Sequence, residues 1–190
     1  MRGLVERLNK ILDRITSEDF ISGRGLGNEI PFYAFEYAPE DEIAVREHVK
    51  FLLLQVSKKR PDLRIIHIDL LELIVGHLRN RKLYDKAVEI QKTKGNDAIF
   101  AALKAPLDAG RIAEVFASEA QPDKHDMIFV TGVGSSYPLL RTHSLLNNLY
   151  PVMGDTPLVF FYPGIYDKQS LKLFGELKDK PYYRAFRLVD

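Results

Sequence analysis

The sequence predicts a single α/β domain over residues 1–190, a mostly parallel sheet of about five strands flanked by helices, with a helical insert over 70–121. Three observations lead there. The apolar runs Met127-Ile128-Phe129-Val130 and Leu158-Val159-Phe160-Phe161-Tyr162 are short, β-branched and aromatic, as strands buried on both faces are. Stretches with helical spacing separate the strands, and the order strand, helix, strand builds parallel sheets through right-handed crossovers. At 190 residues the chain buries one substantial core and leaves too little for two.

Leu4, Leu8, Ile11, Leu12 and Ile15 recur at helical spacing with charges between them, which predicts an amphipathic helix over 3–16. The glycine-rich segment Ser22 to Glu29 precedes a strand from Ile30 to Tyr37. Phosphate loops follow a strand and open a helix, so this segment reads as a connector. Glu40, Asp41 and Glu42 behind Pro39 suit a helix start, since carboxylates complement the positive end of the helix dipole. That helix runs through Val45, Val49, Leu52 and Val56 and stops before Pro61. Arg64 to Asp69 reads as a second buried strand. Helices follow over Leu70–Asn80, Leu83–Lys94 and Asn96–Phe116, the last interrupted near Pro106. After the strand at Met127, the turn Thr131 to Ser136 opens a helix whose first turn holds Pro138 and whose apolar residues include Leu139, Leu140, Leu145, Leu146 and Leu149. The strand from Leu158 closes at Pro163-Gly164, a helix is expected near Ser170 to Lys178, and Tyr182 to Val189 makes a final strand.

Composition excludes several kinds of function. With 27 basic and 26 acidic residues the formal charge is +1, which gives no global reason to expect nucleic-acid binding. Lys58, Lys59 and Arg60 beside Arg79, Arg81 and Lys82 are the only candidate basic patch, and helix ends account for them, so direct DNA contact is not expected. The chain has no cysteine, which rules out thiolate chemistry and cysteine-based metal sites. No histidine pair has metal-ligand spacing, so neither a metal nor another cofactor is expected. Charged residues interrupt the N-terminal leucines and no apolar run nears the roughly 20 residues of a membrane span, so a cytoplasmic protein without membrane contact is expected.

Candidate chemistry gathers at the glycine turn. Gly132-Val133-Gly134-Ser135-Ser136 lacks the lysine of a phosphate loop, the third small residue of a dinucleotide fingerprint and the Gly-x-Ser-x-Gly frame of a serine hydrolase. It is either a tight turn that packs strand on helix or a degenerate anion or partner site. His143 and Asn147 share a helix face near Arg141, which suits ligand contact or a polar seam under the insert. His67 and Asp69 share one face of their strand, and Asp69 serves either a ligand or the cap of the next helix. Tyr162, Tyr166 and Asp167 end a strand at the same sheet edge and are expected to line one cleft with Ser135 and Arg141. The terminal Tyr182-Tyr183-Arg184-Ala185-Phe186-Arg187 mixes aromatics and arginines, a composition of interface anchors as well as of solvated edge strands. The candidate ligand- or partner-binding set is therefore Gly132, Gly134, Ser135, Arg141, His143, Asn147, Tyr162, Asp167, Arg184 and Arg187, with no catalytic residue among them.

Several of these segments together resemble the BrxB family of bacterial BREX phage-defence systems. They are Gly25 to Tyr33, Val45-Arg46-Glu47-His48, Thr131 to Ser135, Leu139 to Leu149, Gly154 to Val159, Phe161 to Gly164 and Tyr182 to Leu188. The resemblance implies a non-catalytic adaptor that acts by protein–protein interaction beside a methyltransferase, a large ATPase and the alkaline-phosphatase-like protein PglZ, with PglZ the expected direct partner. It brings no catalytic residues. The element order also resembles the core of P-loop ATPases without the phosphate loop, Pro39-Glu40-Asp41-Glu42 standing where that loop would be. The alternative function is a nucleotide-binding sensor or a degenerate phosphate-ester enzyme using the cleft at the Gly132 turn.

Overall fold

The structure is a computed structural model that describes residues 3–22, 31–167, 170–178 and 185–190. Helices α1 (Leu4–Ile15) and α2 (Glu18–Ile21) precede strand β1 (Phe32–Tyr37), which leads through a 3-10 turn at Pro39–Asp41 into α3 (Glu42–Lys59) and β2 (Ile65–Asp69). The long crossover holds α4 (Leu70–Asn80), α5 (Tyr84–Leu103) and α6 (Ala109–Ala120) and returns to β3 (Met127–Thr131). A one-turn helix α7 (Val133–Ser136) and α8 (Thr142–Met153) lead to β4 (Leu158–Tyr166), then to the short strands β5 (Leu171–Leu173), β6 (Leu177–Lys178) and β7 (Ala185–Arg187).

Five strands lie in the order β2-β3-β4-β1-β7, and every pair along that path is parallel. From β1 the chain crosses two strands to reach β2, then walks back through β3 to β4. Right-handed crossovers in opposite directions along a sheet must lie on opposite faces. Accordingly Val45, Val49, Leu52 and Val56 of α3 share a core with Leu8, Ile11 and Ile15 of α1 on one face. Helices α4 to α8 pack on the other through Leu73, Ile74, Phe116, Leu145 and Leu149. The residues of the helical insert thus belong to the same core as the sheet.

Alternation along the strands feeds both layers. Phe32 and Ala34 of β1 face the insert while Tyr33, Phe35 and Tyr37 face α1 and α3. In β3 and β4 the same split separates Ile128, Val130, Leu158 and Phe160 from Met127, Phe129, Val159 and Phe161. The Phe161 ring meets Phe35 at 5.9 Å and Phe129 edge-on at 5.6 Å, tying three central strands together.

Four sequence expectations are corrected. The stretch expected as a helix near Ser170 to Lys178 is a hairpin: β5 pairs antiparallel with both β4 and β6. Leu171 and Leu173 are buried while Lys172 between them is not, a period of two, and Phe174 and Gly175 turn the chain with φ of 56° and 77°. The helix expected to open at Pro138 begins at Thr142, Leu140 instead donating its N–H to the Ser136 carbonyl in the preceding connection. Pro163-Gly164 does not end its strand, because β4 continues to Tyr166; a Cβ at Gly164 would run into the Lys172 carbonyl of β5, so only glycine admits that pairing. The strand near Arg64 is only partly buried, since β2 stands at the sheet edge. The glycine-rich segment expected as a connector falls on Gly23 to Ile30, outside the described residues.

Charge secures the other side of the sheet. Glu36 lies two residues beyond Ala34, the last β1 residue paired with β7, and Arg187 of β7 reaches its carboxylate at 2.7 Å. Arg7 of α1 contacts the same carboxylate at 3.4 Å, while its aligned hydrogen bond, 2.8 Å, goes to the Glu36 carbonyl that β7 leaves open. The Arg7 guanidinium also stacks 4.7 Å above the Phe35 ring. One carboxylate thus holds α1 and β7 to β1. Glu36→Gln leaves two mostly buried guanidiniums facing an amide, and urea denaturation should show a loss of about 1 to 3 kcal/mol.

Candidate functional site

In open parallel sheets, ligands and partners meet the chain beyond the carboxyl ends of the strands, where the strand order reverses. Here that point lies between β1 and β4, whose connections leave the sheet in opposite directions. It is occupied by the protein itself. A Cβ at Gly134 would come within 2.9 Å of Pro163 Cγ and 3.0 Å of Phe174 Cε1, so α7 sits directly on the end of β4 and the following hairpin. The Tyr137 and Phe174 rings meet edge to face at 6.2 Å and complete that cover.

Beside it, the ends of β2 and β3 carry a polar network built around Asp69. One carboxylate oxygen accepts the N–H groups of Leu71 and Glu72 at 2.9 and 3.2 Å, capping α4. The other accepts the Thr131 hydroxyl at 3.3 Å and pairs with Arg46 at 3.3 Å. Arg46 in turn bonds Glu42 at 2.6 Å and the Ser135 hydroxyl at 3.2 Å, and Glu42 accepts the Tyr37 hydroxyl at 2.6 Å. The Glu42 hydrogen bond raises the Arg46 pKa, while burial and then the same carboxylate push Tyr37 far up, so one stays cationic and the other neutral. His67 Nε2 lies 2.8 Å from Thr131 Oγ1, and burial lowers the pKa of the ring. His67, Asp69, Thr131 and Arg46 line a crevice of 280 Å³. Thr131 is buried and stands between His67 and Asp69, an order that makes the hydroxyl a bridge between strands.

Gly132 is where the two strand ends come closest. Its φ of +74° is left-handed, and a Cβ there would stand 2.5 Å from Asp69 Oδ1, inside the carboxylate that caps α4.

The remaining candidates divide between two surfaces and the core. Ser135 is exposed on α7 and holds Arg46, whereas Tyr162 is fully buried against Phe160. Parity along β4 points its ring into the core with Phe160, which removes it from the cleft expected with Ser135 and Arg141. Arg141 stands at the start of α8, its guanidinium 6.0 Å above the Tyr137 ring. His143 is half-buried two positions on, 3.2 Å from the Ser144 hydroxyl, and Asn147 is exposed. Asp167 accepts the Ser170 N–H at 2.7 Å and pairs with Lys172 at 3.2 Å. Arg187 serves the Glu36 clamp, and Arg184 lies outside the described residues.

Arg141 instead borders a second, larger hollow of 530 Å³ between the insert and the connection ahead of α8. Phe100, Leu103 and Leu107 line it with Pro138 and Leu139, and the charged residues on its lining are Lys104, Arg141 and Asp108, whose carboxylate caps α6. The sequence reading missed this groove and the part of Arg46: the groove residues come from a helix end and two connections far apart in the chain, and only the fold brings Arg46 to Ser135, 89 positions away. Among the described residues no cluster of three or more His, Asp or Glu side chains could hold a metal ion, and no helix is long and apolar enough to cross a membrane.

These features define a three-layer α/β protein whose strand ends are closed by its own side chains and whose open groove lies among the helices. Comparison with known proteins makes the assignment specific. The family model for the BREX protein BrxB matches residues 66–188. A BREX protein BrxB of Bacillus cereus (strain H3081.97) is 40% identical over 194 residues, covering 100% of both chains. Another, from Escherichia coli O9:H4 (strain HS), is 36% identical over 183 residues, 96% of this chain and 90% of that protein. No solved structure matches significantly. The chain belongs to the BrxB family of BREX phage-defence components.

Two consequences are measurable. Gly132→Ala places a Cβ in the Asp69 cap and forces a left-handed alanine, and thermal or urea denaturation should show a loss of about 2 kcal/mol or more. Burial lowers the pKa of His48, His67 and His77 from the ordinary 6.5. The unfolded chain then binds more protons than the folded one, so their contribution is full above pH 6.5 and is lost as the pH falls toward the folded values. The melting temperature should drop between about pH 7 and pH 5, and His67→Gln should flatten the slope.

Proposed function

We propose that the chain is a non-catalytic adaptor of a BREX assembly, and that its groove between the insert and α8 receives a segment of a larger BREX component, PglZ first among them. The observation that carries this reading is the groove: its lining is mostly apolar, with two cations, Lys104 and Arg141, against one carboxylate, Asp108, that is engaged in capping α6. Such a site suits an apolar segment bearing an acidic group, since the side chains supply burial and Lys104 and Arg141 supply direction. The exposed ring of Phe100 is a fitting anchor. The large ATPase and the methyltransferase are further candidates for the same assembly. The kinship with P-loop cores suggested by the element order favours the same view, because Glu40, Asp41 and Glu42 follow β1 where phosphates would be held and would repel them.

Size-exclusion chromatography of the purified chain with PglZ at micromolar concentration tests the reading. Co-elution is expected, with Phe100→Asp or Leu139→Asp weakening it at least about tenfold at unchanged far-ultraviolet circular dichroism. Separate elution of the wild-type proteins, or variants that bind as tightly, would count against it.

The line His67–Thr131–Asp69 beside a crevice of 280 Å³ favours the rival reading, a nucleotide sensor or phosphate-ester enzyme. Thermal-shift measurements with ATP, GTP and cyclic nucleotides separate the two. A ligand at 100 times its dissociation constant should add about 2.7 kcal/mol, and no shift with any of them retires the rival.

A further inference from the structure

The outer face of α3 is apolar where a surface helix is ordinarily polar. Val45, Val49, Leu52 and Val56 face the sheet, yet on the opposite side Ile43 is 77%, Leu54 61% and Phe51 50% exposed. A helix with apolar residues on both faces is normally covered on both. By helical spacing, the ridge opposite the sheet-facing stripe is Ile43, Glu47, Lys50 and Leu54, whose intervals of four, three and four are those of a coiled-coil seam; its first three residues also border the crevice at the strand ends.

That ridge is complementary to itself. When a second helix of the same sequence is laid against it antiparallel about a two-fold axis between residues 48 and 49, Ile43 meets Leu54 of the partner subunit and Glu47 meets Lys50 of the partner subunit. The two-fold repeats both contacts, giving apolar layers at the ends and opposite charges in the middle. Glu47 and Lys50 are well placed for this, since both side chains are about two-thirds exposed and already pair within one chain at 2.9 Å. Phe51, beside the His48 ring at 5.7 Å, widens the apolar border on the α1 side.

We propose that this ridge is a self-association surface and that its occupant is a second copy of the chain, docked antiparallel across α3. The seam spans about 16 Å at 1.5 Å per residue and buries less than the roughly 1,600 Å² of a standard interface, so the dimer is weak and forms in the micromolar range. It lies on the face of the sheet opposite the proposed partner groove, so one chain can engage both, and a dimer presents two grooves to an assembly. Neither proposal rests on the other.

Sedimentation velocity of the full chain over about a hundredfold range of concentration tests it, with circular dichroism to check the fold. The wild type should pass from monomer to dimer as concentration rises, and less readily in high salt. Glu47→Lys alone and Lys50→Glu alone each place like charges opposite one another and should weaken the dimer at least about tenfold. The double variant Glu47→Lys with Lys50→Glu restores opposite charges across the two-fold and should recover association to within about threefold of wild type. Leu54→Asp should leave a monomer. A wild type that stays monomeric throughout would overturn the proposal, including the case where the ridge serves a different BREX component. So would single reversals without effect, or a double variant that fails to recover.

Discussion

One carboxylate organises the carboxyl edge of the sheet. Asp69 ends β2, caps α4, receives the hydroxyl of β3 and pairs with the guanidinium of α3. A mostly enclosed acceptor with so many donors is held in one place, because losing any one donor leaves a polar atom without compensation in a poorly solvated place. Gly132 is a consequence of the same constraint. The chain must turn away from β3 against this carboxylate, and only a residue without a Cβ clears it. From that turn follow the short α7, its seat on Pro163 and the hold of Ser135 on Arg46.

This closure bears on function. Parallel sheets commonly leave the strand ends open for ligands, with backbone N–H groups of a helix start pointing at them. Here the helix after the glycine turn lasts one turn, and the two cations lining the crevice are already paired, Arg46 with Glu42 and Asp69 and Lys50 with Glu47. An anion entering there would have to compete with these carboxylates. Among the described residues, the groove at the helices and the outer ridge of α3 expose large apolar side chains.

Much of this was legible in the chain. Met127 to Val130 reads as a strand because it is apolar on both faces, and the strand extends one residue further, to Thr131; α4 takes the bounds its spacing predicts because Asp69 supplies the cap and Leu70, Leu73, Ile74 and Leu78 the stripe. Ser170 to Lys178 misled because Leu171 and Leu173 are too few to fix a period and the turn at Phe174-Gly175 lacks the usual asparagine. Tyr162 misled for another reason: closeness to a strand end does not say which face a ring takes, and parity sends this one inward.

The sequence by itself determined the class of fold and several helix limits, because periodicity and caps act locally, and the resemblance of whole segments pointed to the family. Tertiary structure alone decided which charges meet. Arg7, Glu36 and Arg187, or Arg46, Asp69 and Ser135, are distant in the chain and ordinary in their own elements. Ion pairs and grooves depend on where elements lie in three dimensions, and that placement is fixed by the order of strands, which no local pattern encodes.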